Sequence, residues 1–215
     1  MNNIEILISN KFINYKESIQ FMEKRVQDIF LGKKKELIWF LNHDHIITQG
    51  VNSSKEEIIK NTNLPIIKTN RGGKTTYHGP GQRIVYFLID LNKRKKDIRK
   101  FISVIELSLI IFLKKYNITA QSFEDRVGIW VTEIKNKKLN KEEKIGAIGL
   151  RLKKWITYHG LSFNIDADLN HYHSIHACGL KNYKITSLNK LGIKISDKEF
   201  DKHYTKIFIE ELNKL

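Results

Sequence analysis

The chain has 215 residues, 38 Lys and Arg against 23 Asp and Glu, a formal charge of +15 and one cysteine. That length suits one domain with a substantial core, and a lone cysteine excludes an intrachain disulfide. No apolar run reaches the roughly 18 to 20 residues that span a bilayer, and the start MNNIEILISNKF has neither the charged beginning nor the long apolar stretch of a signal peptide, so a soluble, cytoplasmic protein without a membrane partner is expected.

The predicted elements alternate between two periodicities. Ile4 to Ser9, Glu36 to Leu41, Ile66 to Thr69 and Arg83 to Leu91 are short runs rich in Ile, Phe, Val and Tyr, which suit strands. Tyr15 to Phe30 carries Ile19, Met22, Val26 and Phe30 at spacings of three and four, and Ile98 to Tyr116 does the same through Phe101, Ile105, Leu109 and Phe112. Both predict helices packed on the sheet. Arg126 to Thr132, Lys144 to Leu152 and Trp155 to Ile165 predict further strands, with the charged Lys135 to Glu143 stretch as a hairpin tip. A last helix is signalled by Ser196 or Asp197 as cap, followed by Phe200, Tyr204, Ile207, Phe208 and Leu212. Antiparallel strands with few long helices predict an α+β fold, and the absence of repeats and flexible linkers predicts a single domain over residues 1–215.

Chemistry concentrates in RGGKTTYHGPGQ, from Arg71 to Gln82, which holds four of the twelve glycines and one of the two prolines. Glycine lets backbone approach a guest closely, so Arg71, Lys74 and His78 can converge on a ligand here; an ordinary glycine-rich turn is the plainer reading. A phosphate-binding P-loop needs a glycine where Lys68 stands, and the pattern fails. His171, His173, His176 and Cys178 are ligand types within one short segment, but the paired, separated spacing of a zinc site is missing, so no metal is expected. Cys178 precedes Gly179, which leaves backbone N–H groups open to an oxyanion; a thiol with a pKa near 8.5 would still need a neighbouring cation to act as a nucleophile, and a small buried hydrophobe is the alternative. Lys144 opens KIGAIGLRL, where Gly146 and Gly149 interrupt an apolar strand, and His159-Gly160 interrupts another. Such breaks suit the wall of a pocket. A solvated surface charge is the common fate of a lysine in so lysine-rich a chain.

Taken in order, RGGKTTYHGPGQ, KIGAIGLR, HGLSFNI and ACGL resemble the lipoyl(octanoyl) transferases, and the likeness extends from about Glu36 to Leu188 through WFLNHDHIITQG and the Lys-Ile-Thr-Ser-Leu stretch. The resemblance implies the single α/β domain of the biotin and lipoate protein ligases, with a mixed, largely antiparallel sheet flanked by helices. It implies that Cys178 takes an octanoyl group from octanoyl-acyl-carrier protein as a thioester, and that Lys144 lowers the thiol's pKa. A lysine of a lipoyl domain, on the E2 subunits of 2-oxoacid dehydrogenases or the glycine cleavage H protein, then becomes the acceptor. Substrate contacts are implied for Arg71, Gly72, Gly73, Lys74, Thr75, Thr76, Tyr77 and His78, for Ala147, Ile148 and Gly149, and for Gly160, Leu161 and Ser162. No cofactor is implied, since thioester exchange is nearly balanced and aminolysis of a thioester runs downhill. Ala177 stands where the family usually has proline, and Ser162 where a small apolar residue is common.

Two rivals remain. An ATP-dependent lipoate or biotin protein ligase on the same fold would need no thiol. A nucleic-acid-binding protein would use the charge; no nucleic-acid module is recognisable, and an acidic protein partner uses that charge equally well.

Overall fold

The computed structural model describes residues 4–59, 62–176, 179 and 183–215. Cys178 and its neighbours Ala177 and Leu180 lie outside the described residues. The chain order is β1 (Ile4–Phe12), α1 (Tyr15–Phe30), β2 (Glu36–Asn42), β3 (Ile46–Gln49), β4 (Ile66–Lys68), β5 (Thr76–His78), β6 (Gln82–Leu88), α2 (Ile98–Lys114), β7 (Ile118–Phe123), β8 (Arg126–Ile134), β9 (Lys137–Lys153), β10 (Ile156–Asn164), β11 (Lys184–Ile185) and α3 (Asp197–Leu212). Among the described residues, eight strands form one sheet in the order β1-β2-β6-β10-β9-β8-β7, with β11 paired to β9, and β4-β3-β5 form a small second sheet. Only β1 with β2, β11 with β9 and β4 with β3 pair in parallel among them. This is the mixed, largely antiparallel α+β architecture the sequence predicts.

Strands β2 and β6 read as continuous apolar runs because both faces are covered. Leu37, Trp39, Leu41, Ile84, Tyr86 and Leu88 join Met22, Val26 and Ile29 of α1 on one face. Their alternates Ile38, Phe40, Val85 and Phe87 meet α2 and α3 on the other. Each helix starts where a side chain satisfies free N–H groups: Asn14 accepts from Lys16 and Glu17, Asp97 from Lys100, and Ser196 from Glu199. The buried Arg83 guanidinium then ties α3 to β6 through Asp201, Nε to Oδ1 at 2.9 Å and Nη2 to Oδ2 at 2.5 Å.

Three sequence expectations need correction, and three strands carried no expectation. The hairpin tip is not Lys135 to Glu143 but the two residues Lys135 and Asn136, at φ of +47° and +64°, between the paired Ile134 and Lys137. A two-residue turn with both φ positive matches strand twist, so β9 runs the whole way out, with Lys137, Lys138 and Lys141 facing water. The strand from Arg83 ends at Leu88, and Leu91–Lys93 form a 3₁₀ turn capped by Asp90. The Ile98 helix stops at Lys114. Strands β3, β5 and β7 had no local signal: β3 and β5 have four and three residues among polar neighbours, and β7 is an edge strand that buries only Ile118 and Ala120. Among the described residues, no helix is long and apolar enough to cross a membrane.

Candidate active site

A cavity of about 410 Å³ opens on the α1 side of the large sheet. Its floor follows from register. Gly160 pairs with Gly149 and with Tyr86, and Ser162 pairs with Ala147 and with Ile84, so these side chains share one face. Small residues leave the space that larger ones would fill. A Cβ on Gly160 would meet the Val85 carbonyl oxygen at 2.0 Å, and one on Gly149 would meet the Gly72 oxygen at 2.9 Å. At these two positions glycine is a requirement of close backbone approach.

At one end lies Lys144, 3% exposed. Its Nζ donates to the Val127 carbonyl oxygen at 2.9 Å and sits 5.2 Å from the centre of the Trp130 ring. A carbonyl oxygen and an aromatic face both favour an ammonium. The lysine fits because residue 128 is glycine: at φ of +127°, a Cβ there would strike Lys144 Cε at 2.5 Å. Gly179, the residue after Cys178, lines the same cavity, and its φ of +70° and the Lys74 chain 2.5 Å from where a Cβ would stand again demand glycine. Lys74 also lies 3.7 Å from the buried Glu57 carboxylate, which accepts from the Thr75 N–H.

At the other end the cavity meets a buried polar cluster. The Arg71 guanidinium donates to the Thr48 hydroxyl and to the carbonyl oxygens of Thr48, Gly72 and Lys74, clamping the glycine-rich loop onto β3. His78 Nδ1 contacts Gln82 Oε1 at 2.7 Å, and since the Gln82 amide nitrogen is committed to Asn164 and Tyr172, the proton belongs on His78 Nδ1. His43 Nδ1 faces the Ile13 carbonyl oxygen, which makes its Nε2 the acceptor of the Tyr86 hydroxyl. His159 has φ of +60°, and its Nε2 donates to Asn70 Oδ1, because the Asn70 amide nitrogen serves Glu23 and Tyr158. Burial drives all three histidines down, His43 to about 4 and His78 and His159 to about 3, with Arg71 a further cause for the last two. All are therefore neutral near pH 7.

Most of the residues implied by the motifs come together. Arg71, Gly73, Lys74, Thr76 and His78 line the cavity, as do Lys144, Ala147, Ile148, Gly149, Gly160, Leu161 and Ser162. Three others stand outside its lining. Gly72 packs against the Leu150 carbonyl, Thr75 is anchored to Glu57, and Tyr77 points to the opposite side of β5 from Thr76 and His78, toward His45, His171 and Tyr172. Alternation along a three-residue strand makes that division. Tyr15, Arg126, Val127, Tyr86 and His159 also line the cavity, as does Ile84. The glycine inside the apolar run RVGIWV was a readable sign for the Val127 region; Tyr15 looked like any helix residue. Among the described residues, no group of three or more His, Cys, Asp and Glu is arranged to hold a metal ion.

The architecture is that of lipoate protein ligases. A lipoate-protein ligase A bound with ATP superimposes with a TM-score of 0.75 at 17% identity, covering 99% of this chain and 86% of that one. A bi-partite lipoate protein ligase from Thermoplasma acidophilum gives 0.62 at 13% identity, covering 99% and 84%. Residues 14–209 match the lipoyl protein ligase A/B catalytic domain. An octanoyltransferase of Wolbachia pipientis subsp. Culex pipiens is 48% identical over 198 residues, 92% of this chain and 94% of that protein. An octanoyltransferase of Ehrlichia chaffeensis is 44% identical over 92% and 91%. Within the lipoyl protein ligase A/B catalytic domain, the chain thus belongs to the octanoyltransferase family.

Proposed function

We propose that the chain, as one catalytic domain over residues 1–215 in the cytoplasm, carries an octanoyl group from octanoyl-acyl-carrier protein to a lysine of lipoyl domains by way of Cys178. The Cys178 thiolate attacks the donor thioester; the carrier's sulfur leaves as a thiolate that takes a proton from solvent, and the octanoyl group is held as a new thioester. The neutral amine of the acceptor lysine then attacks the carbonyl carbon, the C–S bond breaks, the thiolate returns, and the amine proton passes to solvent. No cofactor or ATP enters either step. The lipoyl domains of 2-oxoacid dehydrogenase E2 subunits and the glycine cleavage H protein are the acceptors this reading names.

The observation that carries it is the buried Lys144 ammonium in the same cavity as Gly179, the neighbour of the sole cysteine. An ammonium in a low-dielectric wall favours thiolate over thiol. The glycine, alanine and serine floor leaves room for a slender acyl chain, and the loop clamped by Arg71 forms its opposite side. Arg71, Gly73, Lys74, Thr76, His78, Ala147, Ile148, Gly149, Gly160, Leu161 and Ser162 would contact the acyl group and its thioester, while Gly72, Thr75 and Tyr77 would hold the loop in shape.

The test is intact-mass measurement after mixing with octanoyl-acyl-carrier protein without ATP. One octanoyl adduct, removed by hydroxylamine and missing from Cys178→Ala, is expected. A Cys178→Ala protein that still octanoylates a lipoyl domain at the parent rate would refute the covalent route.

A further inference from the structure

Beside the cavity runs a second groove of about 630 Å³, divided from it by packed side chains. Trp130 and Tyr183 face the groove; Lys144 and Arg126 face the cavity. The four are locked together: Lys144 Nζ lies over the Trp130 ring, Arg126 donates to the Tyr183 hydroxyl at 3.0 Å, and the two aromatic rings meet at 4.9 Å. A small void also touches both spaces, lined by Lys144, Ala147 and Ser162 from the cavity and by Tyr172 and Ile185 from the groove.

The transfer reading above, on which this inference rests, gives that arrangement a use. Once the acyl chain fills the cavity, a second substrate cannot reach the thioester through the same space. It must come from a side where the reacting end is close and the path is not blocked by the chain. The groove shares no described lining residue with the cavity and lies behind the buried Trp130 ring, which Lys144 Nζ faces at 5.2 Å from the cavity side.

Its chemistry selects the visitor. The groove has apolar sides from Leu169, Ile175 and Ile185, and among its described lining residues no Asp or Glu. Lys184 and Lys190 stand exposed at its edge, Lys190 3.9 Å from Glu143. An acidic segment with some apolar surface is complementary to such a rim, and the chain's overall charge of +15 draws it in. We propose that this groove is the docking site of the protein acceptor, an acidic segment that lays its lysine across the Trp130 partition toward the acyl thioester.

The double substitution Lys184→Glu/Lys190→Glu in the full chain tests the assignment, with two readouts: steady-state transfer to an isolated lipoyl domain, and single-turnover acylation by octanoyl-acyl-carrier protein. Reversal of two rim charges is expected to raise the KM for the lipoyl domain by about tenfold or more, and to weaken its rise with added salt. The acylation rate is expected to stay within about twofold of the parent, because a rim charge acts on the partner it steers and not on the other half-reaction. An unchanged KM would overturn the docking assignment. So would equal slowing of acylation, which would give the groove to the donor carrier instead. A parent protein that shows neither acylation nor transfer would defeat the transferase reading itself, and is told apart by the absence of any adduct.

Discussion

The face of the sheet under α2 and α3 buries rings: Phe163 stacks on Phe200 at 4.9 Å, Phe87 lies 4.6 Å from Phe208, and Phe101, Phe112 and Tyr204 close the layer. The face under α1 and the small sheet buries Arg71, His43, His78, His159 and Lys144 around an open cavity. Both use the same strands, with alternate residues turned each way. The first face supplies hydrophobic stabilisation, roughly 25 cal/mol per Å² of apolar surface. The second carries groups whose burial is costly unless each is held by a partner. His159 shows the cost most plainly: its left-handed backbone is strained for a side-chain-bearing residue, and its buried Nδ1 has no hydrogen-bond partner among the described residues. The α2–α3 face thus serves packing, while the opposite face is divided between the apolar core under α1 and the site.

The sharpest way to break that division is Phe200→Ala. Phe200 is fully buried against Phe40, Phe112 and Phe163. Its loss should cost about 3–5 kcal/mol in chemical denaturation, while kcat of the folded fraction stays unchanged. A comparable fall in kcat would show that the faces are not independent.

Gly128→Ala attacks the other side. The added methyl would collide with the Lys144 chain and with the Gly146 carbonyl oxygen at a φ that side chains rarely adopt, so the melting midpoint should fall and, in the protein still folded, kcat for transfer should drop about a hundredfold. Unchanged transfer would show that the position of the ammonium is not critical.

The three buried histidines predict how stability depends on pH. Each is held below its unfolded value of 6.5, so the unfolded chain binds more protons between pH 6.5 and about 3 to 4. Stability is fully present above pH 6.5 and falls as the pH is lowered through that window, at most about 1.4 kcal/mol per pH unit for each histidine. Replacing His43, His78 and His159 by uncharged residues should flatten the slope; an equally steep slope would place its origin elsewhere.

A milder effect is expected from Ala147→Leu, which fills the cavity floor. The kcat/KM ratio of octanoyl to a shorter acyl donor should fall about tenfold. An unaltered ratio would move the acyl chain away from that floor.

The sequence made the stabilising face easier to read than the site. Period-three-and-four apolar spacing marks Tyr15 to Phe30 and Ile98 onward as helices, and unbroken apolar runs mark β2 and β6, because these signals are local. The cavity was legible only where glycine betrays close approach, as at Gly149 and Gly160. Tyr15, Arg126 and Tyr86 reach it through tertiary placement, and Tyr77 is turned away by the two-residue repeat of a strand too short to announce itself. Paired elements such as β3 with β5 depend on each other and leave no mark in either stretch alone.

In the proposed route the Lys144 ammonium, fixed by the Val127 carbonyl and the Trp130 ring, ionises the thiol beside Gly179. Because the chain has one cysteine, the pH dependence of alkylation reports on Cys178 alone. The parent should alkylate with a midpoint below the ordinary thiol value of about 8.5, and Lys144→Ala should raise that midpoint by about one unit or more. Identical midpoints in the two proteins would contradict the account.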